Sequence, residues 1–174
     1  MTIPVLETTR LILRPYKVPD FPTVAAMWAD PEIVRHMGDG TARSEEVAWT
    51  GFLRGMGQWA ICGFGPWAIE EKWSGALIGN IGFIDRKRDR GPDYADVLEI
   101  GWMLVTGSWG KGYATEALQT ALDWGRKHFG ALRVIALTAP ENLASIRVAR
   151  KCGFAECAQI LSVGRPRIVL DRIL

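Results

Sequence analysis

The sequence contains few cysteines, little net charge and no long apolar run, and each of these absences narrows the class of protein. Cysteine occurs only three times in 174 residues, at Cys62, Cys152 and Cys157, with no C-x-x-C pair. We therefore expect reduced thiols in a cytoplasmic protein. A formal net charge of +2 is too small to indicate nucleic acid or a membrane surface as the partner. No apolar stretch approaches the ~20 residues of a membrane span, and the first residues lack a signal-peptide pattern.

Histidine is also scarce. The two histidines, His36 and His128, show no metal-ligand spacing, so no metal site is predicted. The rest of the composition is that of an ordinary globular protein, with 48% hydrophobic and 23% charged residues. Because no repeat, low-complexity segment or linker divides the chain, we expect one domain over residues 1–174 with its core in 8–174.

Hydrophobic periodicity predicts strands and helices in the order β-α-α-β-β-β-α-β-α-β-β. The predicted strands are 9–14, 66–70, 77–84, 97–105, 133–138, 154–163 and 167–173. Helices are predicted after the capping residues Asp20, Ser44 and Asn142, and over 114–129. This order implies an α+β fold, in which a mixed, mostly antiparallel central sheet is flanked by about four helices.

The most informative stretch is 97–154. A strand-like run over 97–105 ends in the glycine-rich turn 106–112, and a helical pattern follows at once. Glycines let the backbone approach a ligand, the unpaired N–H groups of a first helical turn point at it, and the helix dipole favours its negative charge. The arrangement is typical of a phosphate-binding site, although an ordinary glycine-rich connector would have the same local pattern.

Two common nucleotide motifs are excluded in this turn. A triphosphate loop, G-x-x-x-x-G-K-[ST], would need glycine in place of Val105 and serine or threonine in place of Gly112. A dinucleotide fingerprint, G-x-G-x-x-G, would start at Gly110 and need glycine in place of Thr115.

The register Trp109-Gly-Lys-Gly112-Tyr-Ala114 resembles the acyl-CoA pyrophosphate loop of the GNAT N-acetyltransferase superfamily, Gln/Arg-x-x-Gly-x-Gly/Ala, with Trp109 replacing the usual Gln or Arg. The strand 133–138, then Asn142-Leu-Ala-Ser145 and Lys151-Cys-Gly-Phe154, follow at the distances seen in that family. Trp109, the Asn-x-x-Ser element and the opening 7–15 together resemble the ribosomal-protein-alanine N-acetyltransferases and their small-amine relatives. The resemblance covers nearly the whole chain.

The resemblance implies acetyl-CoA as cosubstrate, no metal, and direct transfer to a primary amine without a covalent acyl-enzyme. A splay between two neighbouring parallel strands would create the slot in which the backbone of 103–105 pairs with pantetheine. The implied cofactor-binding residues are Met103, Leu104, Val105, Trp109, Gly110, Lys111, Gly112, Tyr113, Ala114, Thr115, Asn142 and Ser145.

Glu99 is the predicted general base. It lies in an apolar strand on the same face as Gly101 and Met103, where a carboxylate must be paired or hydrated. The resemblance makes Glu99 the group that takes the proton of the amine, through water. The alternative is a structural carboxylate bonded to a neighbouring strand or an arginine.

Ser145 is the predicted group that protonates the leaving thiolate. Many members of the superfamily use a tyrosine five residues before the Gly-Phe pair, but Val148 occupies that position here. Since a thiol with a pKa near ~8.5 leaves readily as thiolate, acid assistance need be worth little. Ser145 could equally make only helix-start hydrogen bonds, and Asn142 is expected to cap that helix and bond the pantetheine arm.

The acceptor amine cannot be chosen from the sequence. Its cleft is expected to include 34–56, the loop after Ile84 and the C-terminal hairpin, with Trp59, Trp67, Trp73 and Trp102 as candidates for lining or for the core. The charged loop 86–93 is either solvated or a contact for ribosome or CoA phosphate. A protein N-terminus, a small amine, a non-catalytic acyl-CoA-binding module and a partner-binding domain all stay open, as do monomer and homodimer.

Overall fold

The computed structural model describes residues 2–85, 87, 92–94 and 96–174 of the chain. Within that part the backbone forms eight β-strands and five α-helices. The strands are β1 Leu6–Glu7, β2 Leu11–Arg14, β3 Pro66–Glu71, β4 Leu77–Ile84, β5 Leu98–Leu104, β6 Arg133–Thr138, β7 Ala155–Ser162 and β8 Arg165–Ile173. The helices are α1 Phe21–Ala29, α2 Pro31–Val34, α3 Glu45–Cys62, α4 Tyr113–Phe129 and α5 Leu143–Lys151.

All eight strands belong to one sheet in the order β1-β2-β3-β4-β5-β6-β8-β7. Neighbouring strands are antiparallel except β5 and β6, which are parallel. The structure therefore confirms the predicted α+β fold with a mixed, mostly antiparallel sheet. Among the described residues, no helix combines the length and apolar character needed to cross a bilayer.

The parallel pair β5 and β6 is joined only at its start. Leu98 pairs with Val134 and Glu99 pairs with Ile135, yet the two strands continue to Leu104 and Thr138. Beyond Glu99 the strands separate, so the sheet opens as a wedge between them. This opening confirms the predicted splay of neighbouring parallel strands.

Helix α4 packs across the sheet through the apolar face that its sequence predicts. Leu118, Ala121, Leu122 and Gly125 are buried on that face. A Cβ at Gly125 would collide with the ring of Phe83, so glycine is required for the close approach of helix and sheet. The N-terminus of α4 is thereby held firmly at the open edge of β5.

Three local features of the fold have simple causes. The helical turn α2 starts at the Asp30-Pro31 pair, where Asp30 caps the chain by accepting the N–H of Glu32. The two-residue strand β1 pairs with the outer edge of β2, and it is too short to be predicted from hydrophobic periodicity. Helix α3 extends to Cys62 because Trp59 packs into the core, and it ends at Gly63 with φ +76°.

A buried ion network ties β2 to the segment before α1. Arg14 donates to both carboxylate oxygens of Asp20, at 2.7 and 2.9 Å, and also to Glu70 on β3. Burial opposes ionisation of Asp20, but the bonds from Arg14 and from the backbone N–H of Lys17 outweigh it and lower the pKa of that carboxyl below its usual value.

We expect Asp20→Asn to destabilise the fold by about 3 kcal/mol at pH 7, since removing one partner leaves the buried Arg14 poorly compensated. Because the folded pKa of Asp20 is depressed, its contribution is complete above the unfolded pKa of ~3.9 and is lost as pH falls through the folded value. Urea unfolding at pH 7 and pH 3 checks this, with the exposed Asp123→Asn as control. A deficit of the same size at both pH values would contradict the electrostatic origin.

Candidate active site

A groove of ≈ 350 Å³ lies between the end of β5, the glycine-rich turn and α5. It brings together most of the predicted cofactor residues, namely Met103, Leu104, Trp109, Gly110, Gly112, Ala114, Thr115, Asn142 and Ser145. Val105, Lys111 and Tyr113 do not line it, and their part in cofactor binding stays a prediction about the loop backbone. These predicted residues lie up to 42 positions apart in the sequence, from Met103 to Ser145, and the groove also includes residues from Glu32 to Met37.

The glycine-rich turn has the backbone geometry of an anion cradle. Gly110 and Gly112 have φ of +74° and +81°, a region that favours glycine, and a Cβ at Gly110 would meet nothing within 4 Å. Helix α4 starts directly after Gly112, and the first N–H that bonds back to it is that of Glu116, at 3.1 Å. The N–H groups before Glu116 belong to the turn that a helix leaves unpaired, so they are available to an anion.

Trp109, which replaces the family's usual Gln or Arg, has a clear structural task. Its indole Nε1–H donates to the backbone carbonyl of Leu104 at 2.9 Å. This bond folds the turn back onto the end of β5, across the short 3-10 turn Thr106–Ser108. The side chain remains 41% exposed on the groove wall, so it also offers an aromatic surface to a ligand.

A second, smaller cavity of ≈ 140 Å³ lies in the wedge between β5 and β6. Glu99, only 6% exposed, is on its wall together with Ile100 and Gly101. Thr138 on β6 and Arg167 on β8 line it from the other strands. Glu99 therefore lies on the wall of the space that the separation of the two strands creates.

The two cavities share a wall. Six residues line both of them: His36, Met37, Trp102, Met103, Asn142 and Ser145. The Oδ1 atom of Asn142 accepts the backbone N–H of Ser145 at 3.1 Å, which confirms Asn142 as the cap of α5. Within the described part of the chain, the hydroxyl of Ser145 has no hydrogen-bond partner. That hydroxyl is thus available as a donor where the cavities meet.

The segment after α2 lies within the range 34–56, which is expected from the sequence to contribute to the acceptor cleft. His36, Met37 and Gly38 line the smaller cavity because β8 holds their backbone. The guanidinium of Arg167 donates to the carbonyls of His36, at 3.2 Å, and of Gly38, and Arg165 donates to the carbonyl of Arg35. Nothing in the local sequence of the segment signals these contacts.

The imidazole of His36 has a lowered pKa. Burial is the main cause, and the positive charges of Arg35, Arg165 and Arg167 add to it against the opposing charge of Glu141. His36 is therefore neutral at neutral pH and can accept a proton or a hydrogen bond.

The tryptophan candidates divide between core and site. Trp59 and Trp67 are 2% and 0% exposed and pack against each other in the core. Trp73 is 85% exposed, away from both cavities, whereas Trp102 lies on their shared wall. Of the four predicted aromatic lining residues, Trp102 alone is at the site among the residues the structure describes.

Cys152 is a packing residue. Its thiol is 4% exposed and donates to the carbonyl of Thr115, and burial raises its pKa to about 11. A thiol protonated at neutral pH is a poor nucleophile. The charged loop 86–93 lies largely outside the described residues, and in the rest of the chain no three His, Cys, Asp or Glu side chains are grouped as metal ligands would be.

Comparison with known proteins identifies the family. The family model of the Acetyltransferase (GNAT) domain matches residues 10–155. The chain belongs to the GNAT acetyltransferase family. Its GNAT relatives include the uncharacterised N-acetyltransferase p20 of Bacillus licheniformis, which is 30% identical over 156 residues, or 86% of this chain and 81% of that protein.

Solved GNAT structures share the whole fold. The acetyltransferase from Agrobacterium tumefaciens str. C58 has a TM-score of 0.81 and 29% identity, covering 99% of this chain and 95% of that chain. RimL, a ribosomal L7/L12 alpha-N-protein acetyltransferase in complex with coenzyme A, has a TM-score of 0.79 at 16% identity and 98% coverage of both chains. The GNAT family predicted from the loop is confirmed, and the protein is an acetyltransferase. The individual roles of Glu99 and Ser145 stay predictions.

Proposed function

We propose that the protein transfers the acetyl group of acetyl-CoA directly to a primary amine, which is either a protein N-terminus or a small amine. The observation that supports this most strongly is the shared wall of the two cavities. A groove with an anion cradle at one end meets a smaller cavity whose wall includes the buried Glu99, and Ser145 lies on the wall that they share. A ternary complex of donor and acceptor fits this arrangement without an acyl-enzyme.

The groove accommodates the donor in one direction. The pyrophosphate of acetyl-CoA would lie on the N–H groups of Gly110 to Ala114, and the pantetheine arm would run along β5 towards the wedge. Because β5 leaves β6 after Glu99, the backbone groups of Met103 to Val105 can pair with the pantetheine amides as an added strand does. RimL, which has this fold, is a coenzyme A complex, which supports the use of a coenzyme A donor on the same fold.

Two side chains would then handle protons in the reaction. Glu99 accepts a proton from the ammonium group through water, which leaves a neutral amine. The nitrogen attacks the thioester carbonyl, and a backbone N–H of β5 stabilises the oxyanion that forms. As the C–S bond breaks, the sulfur takes the proton of the Ser145 hydroxyl, and the nitrogen loses its second proton to solvent. Solvent returns a proton to the serine oxygen, and Glu99 releases the proton that it accepted.

The acceptor side admits only a small group. The cavity of ≈ 140 Å³ is well below the ~300–1,000 Å³ of a site that encloses a drug-sized ligand. The amine-bearing end of the acceptor would enter it and the remainder would stay outside. An N-terminal residue and a small amine both satisfy this limit. The three cysteines are free thiols, which suits work in the cytoplasm.

Ser145→Ala should lower turnover only modestly, by about three- to ten-fold, since a thiolate of pKa ~8.5 leaves with little help. The cap of α5 stays intact because Asn142 bonds the backbone N–H of residue 145, not its hydroxyl. Steady-state kinetics with Ser145→Thr, which keeps a hydroxyl, supplies the control. Unchanged turnover in Ser145→Ala would limit Ser145 to the start of the helix.

Calorimetric titration with acetyl-CoA, followed by thiol-release assays, tests the proposed function. We expect a dissociation constant in the micromolar range or tighter, and thiol release with either N-terminal peptides or small amines. Binding without turnover on any amine would indicate a non-catalytic acyl-CoA-binding module. Loss of both would favour a partner-binding domain on the same fold. Gel filtration across protein concentrations would separate monomer from homodimer.

A further inference from the structure

The loop that would hold the pyrophosphate is attached to a distant part of the chain through Arg10. Arg10 precedes β2, yet its Nε and Nη2 atoms each lie 2.7 Å from the carboxylate of Glu116 in the first turn of α4. Its Nη1 atom donates to the carbonyl of Lys111 at 2.9 Å. A single guanidinium thus bonds the loop and the helix that follows it.

Further contacts fix the same two segments. The backbone N–H of Arg10 and the hydroxyl of Thr8 both donate to Oε1 of Glu116. The guanidinium lies 4.5 Å from the ring centroid of Tyr113, the first residue of α4. Burial opposes the charge on Glu116, but the bonds from Thr8 and Arg10 prevail and lower the pKa of its carboxyl, so it is ionised at neutral pH.

Arg10 lies behind the loop rather than in the groove. Gly110 and Gly112 line the groove, while Arg10 lines neither cavity. The Nη2 atom of Arg10 is 3.4 Å from the point that a Cβ on Gly112 would occupy. The guanidinium therefore supports the loop from the side opposite the donor.

This position determines the direction of one N–H group. In a planar trans peptide the carbonyl and the N–H point in opposite directions. Because Arg10 holds the carbonyl of Lys111 on the rear side, the N–H of Gly112 in the same peptide is directed away from Arg10, towards the groove. Gly112, one of the two residues that this peptide joins, has a positive φ and the conformational freedom of glycine, which would otherwise allow the peptide to turn over.

We propose that Arg10 and Glu116 form a clamp that sets the loop for the pyrophosphate of the acyl donor. Arg10 is a positioning residue and acts through the N–H groups of the loop, without touching the donor. The clamp rests on the proposed use of acetyl-CoA. Loss of the clamp should lower the affinity for donors that contain a pyrophosphate and leave the affinity for donors without one unchanged.

The test compares acetyl-CoA with S-acetylpantetheine, which has the thioester and the pantetheine arm but no phosphate. For Arg10→Met we expect the KM and Kd of acetyl-CoA to rise about ten-fold, the order expected for losing a hydrogen bond to a charged group. The kcat with acetyl-CoA and the KM of S-acetylpantetheine should not change. Arg10→Lys, which can reach only one of the two acceptors, should fall between wild type and Arg10→Met.

Arg150→Met is the matched control, because Arg150 makes a comparable but exposed ion pair with Glu156 at the far end of α5. It should leave both donors unaffected. If Arg10→Met does not fold, Glu116→Gln disrupts the clamp from its other side. We expect it to show the same difference between the two donors to a smaller degree.

Two results would overturn the proposal. Equal loss of affinity for both donors would mean that Arg10 only supports the fold. If Arg10→Met and wild type bound acetyl-CoA with equal affinity, the loop would keep its conformation without Arg10. Titrations with coenzyme A and pantetheine need no acceptor. A ten-fold effect confined to coenzyme A in a protein that acetylates no amine would therefore refute the proposed function and leave the clamp standing.

Discussion

Gly112→Asp is expected to abolish acetyl-CoA binding in a protein that still folds. Gly112 is the residue directly before α4, where the pyrophosphate of the donor would lie, and it forms part of the groove wall. A Cβ at Gly112 would lie 3.4 Å from Nη2 of Arg10, so an aspartate there would compete for that guanidinium and would add a negative charge beside the phosphates of the donor. Two like charges ~4 Å apart repel by about 4 kcal/mol at the effective dielectric near a protein surface, which corresponds to roughly a thousand-fold in affinity.

Backbone strain has to be separated from charge in this experiment. The φ of +81° at Gly112 is unfavourable for any side chain, although asparagine and aspartate tolerate it better than most. Gly112→Asn is therefore the matched control, since it has nearly the same shape and strain without the charge. Calorimetric titration of both variants with acetyl-CoA, after thermal unfolding shows that they fold alike, measures the electrostatic part.

The size of the difference between the two variants decides the interpretation. A far weaker Gly112→Asp than Gly112→Asn would place an anion at the loop. Equal loss in both would point to strain or bulk alone, and retained affinity in folded Gly112→Asp would show that the pyrophosphate does not bind at this turn.

The central stretch could be predicted because its structure depends on neighbours along the chain. The strand, the turn and the helix follow one another within 97–129, and the apolar face of α4 is set by a helical period. Asn142 likewise caps α5 through a residue three positions away. Such local relations leave a pattern that can be seen in the sequence.

The contacts of the site that the sequence did not predict join distant segments of the chain. Arg167 holds the carbonyl of His36 from 131 residues away, and Arg10 holds that of Lys111 from 101 residues away. No periodicity connects such pairs, because they meet only after the sheet has formed. The neutral state of His36 has the same origin, since burial and the arginines of the C-terminal hairpin lower its pKa.

The same reasoning explains the tryptophans. Trp67 on β3 and Trp102 on β5 both lie in apolar strand patterns, and the local sequence does not distinguish them. The sheet order places β3 under α3 and α4, where Trp67 meets Trp59 and Trp124, whereas β5 borders the open wedge. Their different tasks follow from the sheet order, which sequence pattern alone does not determine.

Glu99→Gln should lower turnover at neutral pH by about a hundred-fold or more while the affinity for acetyl-CoA stays unchanged. Glu99 lines the smaller cavity but not the donor groove, so the substitution removes a proton acceptor and leaves the donor site intact. Glutamine has nearly the same shape, and Glu99 occupies the last paired position of β5 and β6, so a change in the wedge itself is not expected.

The pH dependence separates a base from a structural carboxylate. An α-amino acceptor has a pKa near ~8, so above that pH it reaches the enzyme already neutral and needs no base. The deficit of Glu99→Gln should therefore narrow as pH rises from 6 to 9, most of all with an acceptor of low pKa. A lysine-like amine of pKa ~10.4 should keep the full deficit over this range. A structural role predicts a constant deficit together with a lower unfolding temperature. Unchanged turnover across the range would remove Glu99 from the mechanism and leave His36, neutral and on the shared wall of both cavities, as the proton acceptor to test next.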